Sequence, residues 1–248
     1  MGRQDHIGTE IMLKQILFIF RYLMEILSAM VQINKSTLTF LSDLKIHNER
    51  EWFSKNRGRY EEARTNFETF VQAIIDEIVK FDLIYKGLEA KSCVFRINRD
   101  TRFAHDKSVY KTNFGAFMVR GGKKNGDRFP GYYFHIEPGS SFVAGGAYVP
   151  PAPWLNAIRE KIDENADGLI RIVNNKDFKK HFGELDGEKL KTAPKGYPRD
   201  HPHIELLKFK SFLAYRSVSD RELTSEGCFD LVISAFRAMK PLHDYLTI

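Results

Sequence analysis

The chain has 248 residues, of which 43% are hydrophobic and 28% are charged, and its formal net charge is +6. This composition is typical of an ordered protein with one sizeable core and excludes a disordered chain. The mild positive charge is spread along the sequence, so it permits anionic metabolites or nucleic acid as partners without indicating either. Cys93 and Cys228 match no zinc or redox spacing, which excludes a disulfide scaffold and predicts a cytoplasmic protein.

The first 35 residues differ from the rest of the chain. An apolar run from Ile11 to Ile33 contains two basic residues and one acidic residue, so it does not predict a transmembrane segment. It also lacks a good signal-peptide cleavage site. The run predicts an amphipathic helix, or else the start of the sequence is placed too far upstream. We therefore expect an N-terminal extension over residues 1–35 and a single domain over residues 36–248.

Two helices are predicted before the first strand. Ser36 and Thr37 are suitable caps for a short helix that ends near a turn at His47. A longer helix is predicted from Glu49 to Phe81, where apolar residues recur at helical spacing.

From Ser92 onward, apolar residues alternate with a period of two, which predicts β-strands. The predicted strands cover residues 92–98, 113–120, 131–137 and 141–149. In the third strand, one face carries Tyr132, Phe134 and Ile136 and the other carries Tyr133, His135 and Glu137. The hairpin-scale links between these strands predict an antiparallel sheet.

The remainder of the chain is predicted to be helical, apart from a proline-rich loop over residues 190–203. The predicted helices cover residues 154–173, 177–182, 204–215 and 226–246, and Thr224 or Ser225 is the expected cap of the last one. The order helices, strands, helices predicts one α+β domain, with an antiparallel sheet of about four or more strands flanked by N-terminal and C-terminal helices.

The stretch from Arg96 to Tyr110 is the predicted functional centre. It leaves the first predicted strand and enters a loop, and guanidinium groups there suit bidentate contact with carboxylate or phosphate. We therefore predict a pocket for a small anionic molecule, a class that includes phosphorylated substrates. The predicted ligand-binding residues are Arg96, Arg99, Arg102, Tyr110 and Lys111. The predicted catalytic residues are Asp100, Asp106 and Lys107, with the aspartates as general bases.

Two other interpretations of this stretch remain open. In the first, the charges form an internal network that only pins the loop, and Arg96 and Asp100 are then buried, paired and away from any cleft. In the second, the protein is a non-enzymatic module for nucleic acid or a partner protein, which the basic balance and exposed lysines at 123 and 124 motivate. No cofactor is expected in any of these interpretations.

The same stretch resembles the signature of a bacterial family, domain of unknown function family 2461. The similarity rests on Arg96, Arg99-Asp100, Arg102-Phe103, Asp106-Lys107 and Tyr110. Further similar blocks are Trp52-Phe53, the run from Tyr110 to Gly115, Gly145-Gly146, and the segments around Pro194 and Asp200. The resemblance covers residues 36–248, with departures at His47 and Val109, and it implies no particular activity.

A second cluster contains potential metal ligands: Asp200, His201, His203 and Glu205, which His135 and Glu137 could join. The two histidines His201 and His203 flank a proline and would not share a helical face, unlike those of a His-Glu-x-x-His motif. We favour Asp200 as the cap of a helix that begins near Pro202, and we assign no metal site.

Overall fold

In the computed structural model, which describes residues 31–100 and 108–248, a four-stranded antiparallel sheet is preceded and followed in sequence by helices. This confirms the predicted α+β fold. The helices are α1 (Lys35–Ile46), α2 (Arg50–Lys55), α3 (Arg57–Val79), α4 (Ala90–Cys93), α5 (Ala152–Glu164), α6 (Asp167–Val173), α7 (Lys176–Phe182), α8 (Ile204–Leu207), α9 (Asp220–Leu223) and α10 (Cys228–Leu246). The strands are β1 (Phe114–Val119), β2 (Gly131–Ile136), β3 (Ser141–Ala147) and β4 (Phe212–Val218).

The strands lie in the order β1-β2-β3-β4, and every neighbouring pair is antiparallel. Residues 120–130, which include a 3-10 helix at Lys123–Asn125, join β1 to β2, and a short turn over residues 137–140 joins β2 to β3. Helices α5 to α8 lie between β3 and β4 in sequence. The register pairs Phe117 with Tyr133 and His135 with Phe142. Paired side chains point to the same face of a sheet, so these four residues lie on one face.

Helices α3 and α10 cover the other face of the sheet. The rings of Phe67 and Phe70 in α3 lie with their centroids 5.8 and 5.3 Å from that of Phe134. The ring of Phe236 in α10 lies 4.8 Å from that of Tyr132. Each fully buried aromatic ring of this kind stabilises the fold by about 2–3 kcal/mol, so this layer is the hydrophobic core.

Contacts with the core begin before Ser36. Ile33 is only 1% exposed, and the amide of Asn66 donates a 2.7 Å hydrogen bond to the carbonyl of Gln32. The N-cap of α1 is Asn34, and the Thr37 hydroxyl donates to the side chain of Asn66 at 2.9 Å, so the predicted caps at 36 and 37 are wrong. The expectations for the extension concern residues 1–30 almost entirely, and these lie outside the described residues.

Two predicted helices are interrupted at asparagines. The helix expected over 49–81 is divided between α2 and α3, and the side chain of Asn56 donates to the Trp52 carbonyl at 2.9 Å. The helix expected over 154–173 is divided after Glu164, where the Asn165 side chain accepts from the amide of Asp167 at 2.8 Å. Such local side-chain bonds compete with helical hydrogen bonds and favour a break.

The first predicted strand is not a regular strand. Cys93 ends helix α4, and residues 94–98 make only two isolated bridges, Val94 with Ala116 and Asn98 with Tyr110. The segment bonds once to β1, from the amide of Phe95 to the carbonyl of Gly115 at 2.9 Å. It then pairs with residues 109–111 instead, so it does not extend the sheet.

The predicted helix over 204–215 is wrong in its second half, which is strand β4. Phe212, Ala214 and Val218 are buried in β4, while Tyr215 is exposed. The helix ends early because the buried guanidinium of Arg159 donates to the carbonyls of Leu207 and Phe209, at 2.9 and 3.2 Å. A cation at these carbonyls stabilises a helix C-terminus.

The last helix, α10, begins at Cys228, close to the predicted start, but neither predicted cap is used. Its N-cap is Gly227. The hydroxyl groups of Thr224 and Ser225 donate instead to carbonyls of α9.

Within residues 31–100 and 108–248, no helix combines the length and the apolar character that crossing a bilayer requires.

The sheet depends on Gly146, which has a φ of +122° where β3 meets β4. A Cβ atom at this position would lie 2.1 Å from the Phe212 carbonyl oxygen, so Gly146→Ala is expected to lower the free energy of unfolding by on the order of 3 kcal/mol. The matched control is Gly58→Ala in the exposed start of α3, where space is open. This control is expected to be neutral or to add up to about 1 kcal/mol. Urea denaturation measures both, and equal stability of the two variants would contradict the account of Gly146.

Candidate functional site

A cleft of about 800 Å³ opens on the face of the sheet opposite α3 and α10. Side chains from β2, from the end of α1 and from the two segments that flank residues 101–107 line it. The lining residues are Lys45, Asn48, Phe95, Arg99, Asp100, Ser108, Tyr110, Lys111, Thr112, Asn113, Tyr133 and His135. Small-molecule sites typically have volumes of about 300–1,000 Å³, so the cleft has a suitable size.

The two segments that flank residues 101–107 are held together by backbone hydrogen bonds. The amide of Arg99 donates to the Val109 carbonyl at 3.0 Å, and the amide of Lys111 donates to the Ile97 carbonyl at 2.8 Å. The side chain of Asn48 bonds to both backbone groups of Tyr110, at 2.9 and 3.1 Å. The wall of the cleft is therefore anchored to the connection between α1 and α2, where Asn48 lies.

The structure brings four of the predicted site residues to this cleft: Arg99, Asp100, Tyr110 and Lys111. Arg99 donates to the hydroxyl of Ser108, across the base of the loop. The ring of Tyr110 is 8% exposed and stacks on Phe53 with centroids 4.0 Å apart, so Tyr110 anchors the wall as well as lining it. Arg96 is exposed and does not line the cleft. Arg102, Asp106 and Lys107 lie outside the described residues.

These positions bear on the purely structural interpretation, which requires Arg96 and Asp100 to be buried and away from any cleft. Both side chains are exposed, and Asp100 lies at the cleft. Neither of these two requirements is therefore met.

Positively charged side chains lie close to the ring of Phe95 at one side of the cleft. The ammonium groups of Lys111 and Lys123 lie 5.3 and 5.4 Å from its centroid. Burial lowers the pKa of Lys111, and the positive charges of Arg96 and Lys123 lower it further. A negative ion near Lys111 would relieve this repulsion.

The expectation that Lys123 is an exposed lysine is wrong. Its side chain is half-buried, and the ammonium donates to the Val94 carbonyl at 2.8 Å. Lys124 is exposed as expected.

A hydrogen-bonded series of side chains on the same face was not predicted as part of this site. The Tyr133 hydroxyl lies 3.1 Å from Nδ1 of His135, and Nε2 of His135 lies 3.5 Å from a carboxylate oxygen of Glu137. The other oxygen of Glu137 accepts from the Thr112 hydroxyl at 2.7 Å. The signal that could have found this series was the alternation along β2, which placed residues 133, 135 and 137 on one face.

Burial sets the protonation of the middle of this series. His135 is 9% exposed, and burial lowers its pKa although Glu137 opposes the shift. Burial and the charge of Glu137 raise the pKa of Tyr133 to about 12. Near neutral pH, the cleft therefore contains a neutral imidazole beside a protonated phenol.

The potential metal ligands near Pro202 do not assemble with His135 and Glu137. Nε2 of His201 lies 2.9 Å from a carboxylate oxygen of Asp163, and its Nδ1 accepts from the amide of His203 at 3.0 Å. Among the described residues, no three His, Cys, Asp or Glu side chains are grouped to hold a metal ion. The predicted cap is wrong, because α8 begins at Ile204 with His203 as its N-cap.

A family model with the description "Conserved hypothetical protein (DUF2461)" matches residues 36–245. No curated protein and no solved structure matches the chain. The family match confirms the resemblance found in the sequence. Its description states no activity, so a function has to be argued from the cleft.

The cleft wall should depend on Asn48. Asn48→Ala leaves the amide and the carbonyl of Tyr110 without their side-chain partner, and we expect the free energy of unfolding to fall by about 2 kcal/mol. Asn174→Ala, at an exposed position, is the control and should change stability by less than about 0.5 kcal/mol. Urea denaturation measures the loss, and hydrogen exchange should show faster exchange of the Tyr110 amide. A protected Tyr110 amide in Asn48→Ala would contradict this role.

Proposed function

The chain belongs to the DUF2461 family of conserved hypothetical proteins, and from that premise and its cleft we propose that it binds a small anionic molecule, phosphorylated or carboxylated, between Arg99 and Lys111. The observation that carries the proposal is the half-buried ammonium of Lys111 in the cleft wall, close to two further positive charges. Like charges brought together at a partly buried position cost free energy, and a bound anion offsets that cost.

The charges along the cleft support the same ligand class. Lys45, Arg99 and Lys111 contribute positive charge, and Asp100 contributes the negative charge. The guanidinium of Arg99 can present a planar fork to a carboxylate or phosphate, whereas the two lysines act as point charges. The aromatic rings of Phe95 and Tyr133 add apolar surface beside these groups, as in most small-molecule sites.

Of the two predicted general bases, Asp100 lies in the described part of the chain and lines the cleft. Arg102, Asp106 and Lys107 remain predicted members of the site from the sequence. Their proposed roles are ligand contact for Arg102 and catalysis for Asp106 and Lys107.

The location of the protein is proposed from its cysteines. Cys93 and Cys228 are both buried free thiols, and burial raises the pKa of each. Such thiols are inert packing groups, which fits the reducing cytoplasm.

The proposal predicts thermal stabilisation by inorganic phosphate or citrate at low salt. A ligand present at 100 times its Kd adds about 3 kcal/mol, which raises the Tm of a chain of this size by several degrees. Lys111→Met keeps the apolar stem of the side chain but removes its charge, so we expect at least a tenfold loss of affinity. Arg99→Ala should reduce the ligand-induced shift in the same way.

The matched control is Lys179→Met on α7, which removes one exposed positive charge that does not line the cleft. This variant should keep the full ligand-induced shift. Because only the difference in Tm with and without ligand is compared, loss of basal stability in a variant does not imitate loss of binding. No shift of the wild-type protein with either anion, or equal shifts in Lys111→Met and Lys179→Met, would overturn the proposal.

A further inference from the structure

We propose that the cleft is an acid–base site, in which the Tyr133 hydroxyl contacts a hydroxyl group of the bound anion and passes a proton to His135, which Glu137 orients. Tyr133 is then the catalytic residue, and His135 and Glu137 act through it. This inference rests on the proposed function, because it assumes that an anion occupies the cleft. It adds a substrate class, an anion that carries a hydroxyl group.

The geometry gives each group a defined neighbour. β2 places Tyr133 and His135 on one face, and Glu137 follows directly after the strand. The backbone of Glu137 is fixed by the Ser141 hydroxyl, which accepts from its amide at 3.0 Å and donates to its carbonyl at 2.9 Å. The imidazole stacks on Phe142, with centroids 4.5 Å apart. The ring is therefore held between a carboxylate and a phenol.

The direction of proton transfer follows from which atoms of Tyr133, His135 and Glu137 can donate a hydrogen bond and which can only accept one. An ionised carboxylate only accepts, so the proton of the neutral imidazole lies on Nε2 and points to Glu137. Nδ1 is then an acceptor, and the Tyr133 hydroxyl donates to it. The Thr112 hydroxyl donates to the second oxygen of Glu137 and keeps the carboxylate turned toward the ring.

Gly115 leaves room for the phenol at its position beside His135. A Cβ atom on Gly115 would lie 2.5 Å from the Tyr133 hydroxyl oxygen. Gly115 lies in β1 and pairs with His135 in β2. Its φ is not positive, so the backbone conformation does not require a glycine at this position. The absence of its side chain instead leaves the space that the hydroxyl occupies beside His135.

The proton step balances within the cleft. The O–H bond of the substrate breaks and its proton bonds to the Tyr133 oxygen, while the phenol's own proton leaves and bonds to Nδ1 of His135. The electron pair stays on the substrate oxygen, and the imidazolium is paired with Glu137. Protonated Tyr133 is suited to this exchange, because its pKa of about 12 keeps it from ionising on its own near neutral pH.

The charges around His135 determine its pKa and therefore the pH at which the imidazole binds a proton. Besides Tyr133 and Glu137, the titratable and charged groups of the same cleft are Lys45, Arg99, Asp100, Tyr110 and Lys111. Burial lowers the pKa of free His135, so the free protein binds little proton there near neutral pH. A bound anion favours the imidazolium and raises this pKa. Uptake of a solvent proton by His135 is therefore expected on anion binding only between the pKa of the free protein and that of the complex. Above this window the imidazole of the complex stays neutral, and Nδ1 can accept the proton of Tyr133.

The first experiment observes His135 directly, by ¹⁵N–¹H NMR of the imidazole ring in the full chain. We expect the Nε2–H tautomer and a pKa below the ordinary value for histidine. Glu137→Gln should shift the tautomer or the pKa, and Gly115→Ala and Tyr133→Phe should both change the Nδ1 resonance. A ring protonated on Nδ1 and neutral would overturn the relay.

The second experiment measures protons taken up when sulfate binds, by calorimetry near pH 6 in two cationic buffers of different ionisation enthalpy. Sulfate does not titrate in this range, so uptake reports on the protein. We expect a substantial fraction of one proton per sulfate in wild type and in the control His201→Gln, and none in His135→Gln. Uptake that persists in His135→Gln refutes the assignment of His135 as the proton acceptor, and sulfate binding without uptake refutes the coupling between the bound anion and His135. Both results leave the anion site intact. Absence of sulfate binding refutes both.

The third experiment tests the contact of Tyr133 with a hydroxyl group. Malate and succinate differ by one hydroxyl, and we expect wild type to bind malate several-fold more tightly. Tyr133→Phe should remove most of this preference while both dicarboxylates still bind. Equal affinity of wild type for the two compounds would overturn the assigned substrate class.

Discussion

The alternation of side chains along β2 is the constraint on which the rest of the structure depends. Tyr132, Phe134 and Ile136 face α3 and α10 and are fully buried. Because the period of a strand is two, the residues between them must face the other side of the sheet. Tyr133 and His135 are therefore presented to the cleft by the same burial that forms the core.

The cleft combines two kinds of electrostatic element within one wall. Around Phe95, positive side chains lie close enough together to disfavour one another. In the same cleft, burial keeps the imidazole of His135 neutral beside the carboxylate of Glu137. In the function that we propose, the first element binds the anion and the second accepts a proton. Each needs a partly buried setting, because exposed charges of this kind would be screened by water and salt.

Helix breaks and strand β4 show where sequence patterns were insufficient. Phe209, Phe212 and Tyr215 recur every three residues, which predicts a helix, yet the chain from Phe212 onward pairs with β3. The competing interactions come from residues that are distant in sequence. Arg159 donates hydrogen bonds to the carbonyls at the end of α8. Gly146 has no Cβ atom, which allows the backbone of Phe212 to approach closely. By contrast, the strands at 131–136 and 141–147 were predicted within a few residues, since their alternation and turns are local.

The sequence by itself determined the fold class and the family, because those depend on periodicity and on a long motif. The role of the segment around Arg99 is a prediction from the same motif. Only the tertiary structure decided which side chains share the cleft. Lys45 comes from α1, Asn48 from the connection between α1 and α2, Lys111 from the segment after residues 101–107 and Tyr133 from the sheet. No spacing in the sequence relates them. The physical reason is that a cleft is made by the packing of distant segments, and its charges and pKa shifts depend on burial that exists only once they have packed.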